Sequence, residues 1–140
     1  MSDEEVVEWD EKFSVKNSVI DKQHRELIKM TNELYAGCRR GGITERVTFM
    51  KTIQGAVNYA KVHFSVEEDL MRRANYPDYA AHKKEHEKFV AEVLREIKEF
   101  EKNQNFNTEN FARFLLQWIL NHIAVSDKQY IPFLQDRVFN

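Results

Sequence analysis

Turn-forming residues are scarce in this chain. Four glycines and two prolines stand among 140 residues, about a third of the ~12% that ordinary proteins carry. So few turn-formers leave few turns, which disfavours a sandwich or barrel of many short strands. The 42% apolar content argues equally against a disordered chain. Cys38 is the only cysteine, which excludes an internal disulfide framework and a metal site built on thiolates. No run approaches the ~20 apolar residues of a membrane span. The start, Met1-Ser2-Asp3-Glu4-Glu5, is acidic and lacks the apolar stretch of a secretory signal. A cytoplasmic protein with no membrane partner is therefore expected. An excess of one charge is also missing. Twenty-one basic residues meet 23 acidic ones, which leaves no electrostatic footprint for nucleic acid. The length suits one domain, spanning 1–140.

What is present is helical periodicity, with apolar residues recurring at i, i+3, i+4 and i+7 in four stretches. The first, Ser18 to Gly37, carries Ile20, His24, Leu27, Thr31, Leu34 and Cys38 on one stripe. Ser18 or Asp21 is placed to cap its start, and Gly37 with Gly41-Gly42 to break its end. The second begins at Thr44, a good N-cap, and carries Phe49, Ile53, Ala56, Ala60, His63, Glu67 and Leu70 before Asn75-Tyr76-Pro77. The third, from about Asp78 to Lys102, carries Tyr79, His82, His86, Phe89, Val93, Ile97 and Phe100. After the polar break Asn103 to Asn107, the fourth runs from Thr108 to Asp127 with Phe111, Leu115, Trp118, His122 and Val125. Pro132 ends or kinks anything beyond it.

Four helices of about 20 residues, each about 30 Å long and joined by short connections, predict an all-α, up-down-up-down antiparallel four-helix bundle. It occupies about 18–128, followed by a short C-terminal tail. A non-helical N-terminal arm of about 1–17 precedes it, with Val7, Trp9, Phe13 and Val15 expected to pack across the bundle ends.

The five histidines all fall on these apolar stripes: His24, His63, His82, His86 and His122. Glu67 follows His63 by four residues on the same stripe. A single buried histidine is usually a satisfied core residue, and a lone i,i+4 pair such as His82–His86 means little. Five imidazoles and a carboxylate converging on one dry interior are different. Unliganded, they cost several kcal/mol, and a metal is the simplest compensation. Asp127 is ambiguous by spacing. Five helical steps leave it about 140° from His122, so the helix ends or distorts there, or Asp127 reaches round to a second ion. Otherwise it is a surface residue or the partner of Lys128.

The pattern resembles the hemerythrin family, specifically its single-domain bacterial members. It reads His24, then His63-Phe-Ser-Val-Glu67, His82-Lys-Lys-Glu-His86 and His122-Ile-Ala-Val-Ser-Asp127. Surrounding words match as well: Trp9-Asp10, Ile20-Asp21-Lys22-Gln23-His24, Tyr76-Pro77, and Trp118 one turn before His122. The resemblance covers Trp9 to Pro132. One departure stands out: many members have Gly and an aliphatic residue ahead of the first helix, where this chain has Lys16 and Asn17, which leaves the path of the arm open.

The resemblance implies two non-haem Fe ions. It places His82, His86 and His122 on one and His24 and His63 on the other, with Glu67, Asp127 and an oxo or hydroxo group bridging. The second ion would keep one position open. Seven mixed N/O ligands are too many for tetrahedral zinc and suit iron or manganese. Ferritin-like di-iron sites use four carboxylates and two histidines. Five neutral imidazoles with two carboxylates leave a more positive centre, suited to lending electrons to dioxygen rather than to reaching higher oxidation states. Leu27, Phe64, Trp118 and Ile123, beside the ligands in sequence, are the candidates for a dry O2 pocket.

The expected function is reversible O2 binding for transport, storage or delivery, with an O2-consuming recipient protein implied. An O2 or redox sensor is the alternative. Sensor versions usually sit fused to signalling or membrane segments, which these 140 residues do not include. A di-iron peroxidase, NO-handling protein or ferroxidase ranks below, because no acid–base residue behind the ligands and no substrate cleft is legible. The expectation is therefore not an enzyme. A purely structural metal bundle is the blandest reading.

Overall fold

The computed structural model describes residues 6–103 and 108–129. After a 3₁₀ turn at Glu11–Phe13, helix α1 spans Ser18–Arg40. Helix α2 (Gly42–Tyr59) runs on through a π-helical turn (Ala60–Phe64) into α3 (Ser65–Ala74). Helix α4 spans Tyr79–Asn103, and α5 (Thr108–Trp118) is continued by a π-helical stretch, Ile119–Asp127. With α2–α3 and α5 each prolonged through their π turns, four rods form the predicted up-down-up-down bundle. Helix α1 packs against α2 and α5, and α4 against α2 and α3. Gln104 to Asn107, Pro132 and the tail, and the acidic start lie outside the described residues.

The predicted stripes are mostly the buried faces. Ile20, His24, Leu27, Thr31 and Leu34 are buried on α1, and His82, His86, Phe89 and Val93 on α4. Cys38 is half-buried rather than enclosed. Burial first, and then the charges of Glu45 and Glu109, push its thiol up to about 11. The far end of the fourth stripe departs from prediction. Val125 is 51% exposed, while Ile119, Ile123 and Asp127 are buried. The reason is the π-helical winding, whose wider turn shifts the buried face by one residue. A similar shift in the second rod buries Tyr59 in place of Ala60.

Helix ends also differ from the predicted ones. Asn17, not Ser18 or Asp21, caps α1, its Oδ1 accepting from Val19 and Ile20 N–H at 3.0 and 3.1 Å. Asp21 instead pins the arm, accepting from the Ser14 hydroxyl at 2.7 Å and the Val15 N–H at 2.8 Å. Thr44 is not a cap, because α2 begins at Gly42 and the reversal from α1 is made by Gly41 and Gly42 at φ 67° and 60°. Gly37 does not end α1. It lies inside the helix, where a Cβ would come within 2.9 Å of Thr48 Cβ on α2, so its bareness lets the two helices approach.

The arm is held along the bundle by side chains as well as by packing. Val6 and Val7 N–H donate to Asn32 Oδ1 at 2.9 and 3.0 Å, and Asn32 Nδ2 donates back to the Val7 carbonyl at 2.8 Å. Arg25 lies over the Trp9 ring at 4.4 Å. Val7 and Phe13 join the main core cluster, and Val15 joins a smaller one with Ile20, Leu70, Met71, Ala74 and Tyr76. Lys16 takes φ 58°, the conformation in which a glycine would be unstrained.

Candidate metal centre

All seven residues predicted as ligands meet at one place inside the bundle. His24 comes from α1, His63 from the first π turn and Glu67 from α3. His82 and His86 come from α4, and His122 and Asp127 from the second π stretch. None is more than 3% exposed. The candidate ligand atoms fall into two groups, each gathered within 4.8 Å: Glu67, His82, His86, His122 and Asp127 in one, and His24, His63, Glu67 and Asp127 in the other. The two carboxylates belong to both.

The histidines turn Nε2 inward. His24 Nε2 lies 3.0 Å from His63 Nε2 and 3.1 Å from Asp127 Oδ2. His63 and His86 Nε2 approach Glu67 Oε1 at 3.3 and 3.2 Å. His82 and His122 Nε2 approach Asp127 Oδ1 at 2.8 and 2.9 Å. The five-residue spacing from His122 to Asp127 is accommodated because the helix distorts. Hydrogen bonding of the i→i+5 type widens the turn and brings the fifth residue back to the inner face.

Two carboxylates with no exposure are costly unless cations offset them. Burial opposes their ionisation. The histidines around them nevertheless hold Glu67 well below the usual carboxylate range and lower Asp127 too. The imidazoles respond in turn. Burial disfavours protonation of His82 and His122, but the Asp127 and Glu67 carboxylates outweigh it, raising them to about 10 and about 9. At His63 burial prevails and the value falls. His86 and His122 Nε2 and both Asp127 oxygens lack a hydrogen-bond partner among the described residues. His122 Nε2 faces Asp127 Oδ1 and His86 Nε2 faces Glu67 Oε1 at ion-pair distances. Buried, unsatisfied N and O donors converging from four rods fit a pair of metal ions.

A second layer, which the sequence did not reveal, stands behind the histidines. Gln23 Oε1 accepts from His63 Nδ1 at 2.5 Å. Glu68 Oε2 accepts from His86 Nδ1 at 2.8 Å. Glu85 Oε1 accepts from His122 Nδ1 at 2.6 Å, and its other oxygen takes the Ser126 hydroxyl at 3.2 Å. Acid–base residues, not singled out from the sequence, thus stand behind the ligands. A signal was available: each of the three is the chain neighbour of an inward-facing ligand, Gln23 before His24, Glu68 after Glu67 and Glu85 before His86. Each reaches the histidine of the next rod round the bundle.

The predicted pocket residues Leu27, Phe64, Trp118 and Ile123 are all buried in the main core cluster. Phe64 stacks on His86 with ring centres 3.9 Å apart, and Trp118 stacks on His122 at the same separation. Tyr59, not singled out from sequence, stacks on His63 at 4.8 Å, and its hydroxyl accepts from Trp118 Nε1 at 3.2 Å. Burial first, and then the charges of Asp127 and Glu67, keep its phenol well above the normal range and so neutral. A groove of about 430 Å³ is lined in part by Phe64, Glu68 and His86, and one of about 370 Å³ by Gln23, Tyr59 and His63. Both reach the outer side of the histidines.

Known proteins share this fold and part of this sequence. The family described as the hemerythrin HHE cation binding domain matches residues 15–134, a span that includes all seven of the converging residues. The chain belongs to the hemerythrin family. Among hemerythrin relatives, a bacteriohemerythrin of Stenotrophomonas maltophilia is 34% identical over 122 residues, 87% of this chain and 77% of the relative. One of Methylococcus capsulatus is 32% identical over 87% of this chain and 91% of the relative. A solved wild-type hemerythrin superposes with a TM-score of 0.79 at 30% identity, covering 92% of this chain and 98% of that one.

Proposed function

We propose that this hemerythrin binds O2 reversibly at a pair of non-haem irons, serving oxygen transport, storage or delivery. One observation carries the reading: a fully buried donor set, rich in imidazole, divides into two groups that share Glu67 and Asp127. His82, His86 and His122 would hold one iron, His24 and His63 the other, and Glu67 and Asp127 would bridge them. Two irons held there would supply the redox chemistry that reversible O2 binding needs.

The chain's own residues supply the rest. Inward Nε2 atoms bind, and the second layer orients the rings by accepting their outer N–H. Leu27, Phe64, Trp118 and Ile123 exclude water from the side they line. Phe64 and Trp118 do so while stacked on ligand histidines, which limits ring rotation. Tyr59, neutral and hydrogen-bonded to Trp118, offers no freely ionising group beside the centre. The dry apolar side of the surround suits release of O2 unchanged. The names of the relatives support the same reading.

The test is iron content together with absorption spectra of the reduced protein, after O2, and after argon purging. About two irons per chain and a visible band that appears with O2 and fades on purging are expected. A band that never forms, or an immediate inert ferric state, would overturn reversible binding and favour an oxidative enzyme or a redox sensor.

A further inference from the structure

The residues behind the histidines form a circuit with one break. In an antiparallel bundle, a residue facing the same way round the ring lies alternately just before and just after the inward ligand on successive rods. Gln23 precedes His24 on the first rod, Glu68 follows Glu67 on the second, and Glu85 precedes His86 on the third. Each hands a hydrogen-bond acceptor to the next rod, to His63, His86 and His122 in turn. On the fourth rod the corresponding neighbour, the residue after His122, is Ile123. It has no acceptor to give, and it is fully buried. The next histidine in the circuit is His24, whose Nδ1 is buried without a hydrogen-bond partner among the described residues.

The circuit therefore treats the two halves of the centre unequally. His86 and His122, in the group with His82, are each backed by a carboxylate. A carboxylate accepting the outer N–H fixes the ring and strengthens the inner nitrogen as a donor more than a neutral acceptor does. On the other side His63 is backed by an amide, and His24 by no partner among the described residues. We propose that Glu68 and Glu85 make the His82–His86–His122 position the one that takes up metal first and holds it longest, whereas Gln23 and the unsupported His24 leave the His24–His63 position to fill last and empty first. The proposal rests on the two-metal reading above and adds an order of loading to it. Glu68, Glu85 and Gln23 act here as positioning residues, through the histidines they hold.

The test is anaerobic titration of metal-free full-length protein with Fe²⁺ or Zn²⁺ by calorimetry, paired with timed loss of each ion to a chelator. The unaltered chain should take up two ions in two steps of unequal affinity. Three histidines against two would contribute to that inequality, so the variants decide. Glu85→Gln and Glu68→Gln keep the shape and remove the charge. Each should weaken the first step by about 10-fold or more and leave the second nearly unchanged. Gln23→Glu works in the opposite sense and keeps the native fold testable if the others destabilise it. It should strengthen the second step by about 10-fold, draw the two steps together and slow loss of the second ion. Unchanged second-step affinity in Gln23→Glu, or equal weakening of both steps in Glu68→Gln and Glu85→Gln, would overturn the order while leaving two-ion binding in place. Fewer than two ions bound by the unaltered chain would overturn the two-metal reading and this inference with it.

Discussion

Lys16, at φ 58°, holds a left-handed conformation that costs a residue with a Cβ about 1–2 kcal/mol. Its side chain does little to offset this, making only a 3.8 Å ion pair with Glu11 between two exposed groups. Lys16→Gly should therefore raise stability by about 0.5–1 kcal/mol. The urea midpoint of the metal-free protein measures it, and an unchanged or lower midpoint would refute it. Glu96 is the second residue out of balance. It is buried on α4 and accepts from Arg95 Nη2 at 2.8 Å. Burial, partly opposed by Arg95 and reinforced by Glu92 and Glu99, raises its carboxyl from 4.5 to about 7. Because the folded chain keeps this proton over that interval and the unfolded chain does not, stability falls as pH rises from 4.5 to 7. Glu96→Gln should remove that part of the decline, giving a flatter curve of urea midpoint against pH. Identical slopes in the two proteins would show that Glu96 titrates normally.

The π segments explain how regular rods present irregularly spaced ligands. An α-helix puts i and i+4 on one face, which serves His63–Glu67 and His82–His86 but not His122–Asp127. The stretch Ile119–Asp127 meets the five-residue spacing by winding more widely, and Val125 is the residue left facing outward. Deleting Val125 would make the pair i,i+4, a spacing an ordinary α-helix carries on one face. Two-ion binding should persist. Inserting one alanine beside Val125 adds a helical step of about 100° and should swing Asp127 off the centre. Metal analysis after dialysis reads both, with stoichiometry near two for the deletion and reduced for the insertion. Loss in both would mean that the π winding itself, not the placement of Asp127, is required.

Stability and metal binding draw on different lengths of the bundle. Phe49 is fully buried, stacked on Phe100 at 5.2 Å and edge-on to Phe111 at 5.8 Å. It precedes His63 by 14 residues, about 20 Å along the rod. Phe49→Ala should cost about 3–5 kcal/mol while the surviving folded protein still binds two ions. Conversely, removing metal should destabilise without altering that aromatic cluster. A ligand bound only by the folded state adds about 2.7 kcal/mol at a hundredfold excess over its dissociation constant, so chelation should lower the thermal midpoint measurably. Equal midpoints with and without metal would mean that the centre does not bind under those conditions.

Much of this was readable along the chain, because it depends on short-range spacing. The four helices follow from apolar periodicity, and six of the seven converging residues follow from histidines and a glutamate placed on apolar stripes, where solvent cannot satisfy them; Asp127, ambiguous by spacing, is assigned only through the family resemblance. The arm's large apolar residues announced that it would pack on the bundle. The sequence alone did not reveal which residues stand behind the histidines. Gln23, Glu68 and Glu85 are marked along the chain only by standing beside a ligand, and the contacts that give them their role join positions 40, 18 and 37 apart. Such contacts depend on how one rod is rotated against the next. The π winding was hidden for a related reason. Local propensity is nearly silent on a one-residue shift of backbone hydrogen bonds, and what distinguishes the two windings here is whether Asp127 faces the centre. Spacing along one helix is a local property and can be read from one helix. The partner across a helix interface is set by packing, and only the folded bundle specifies it.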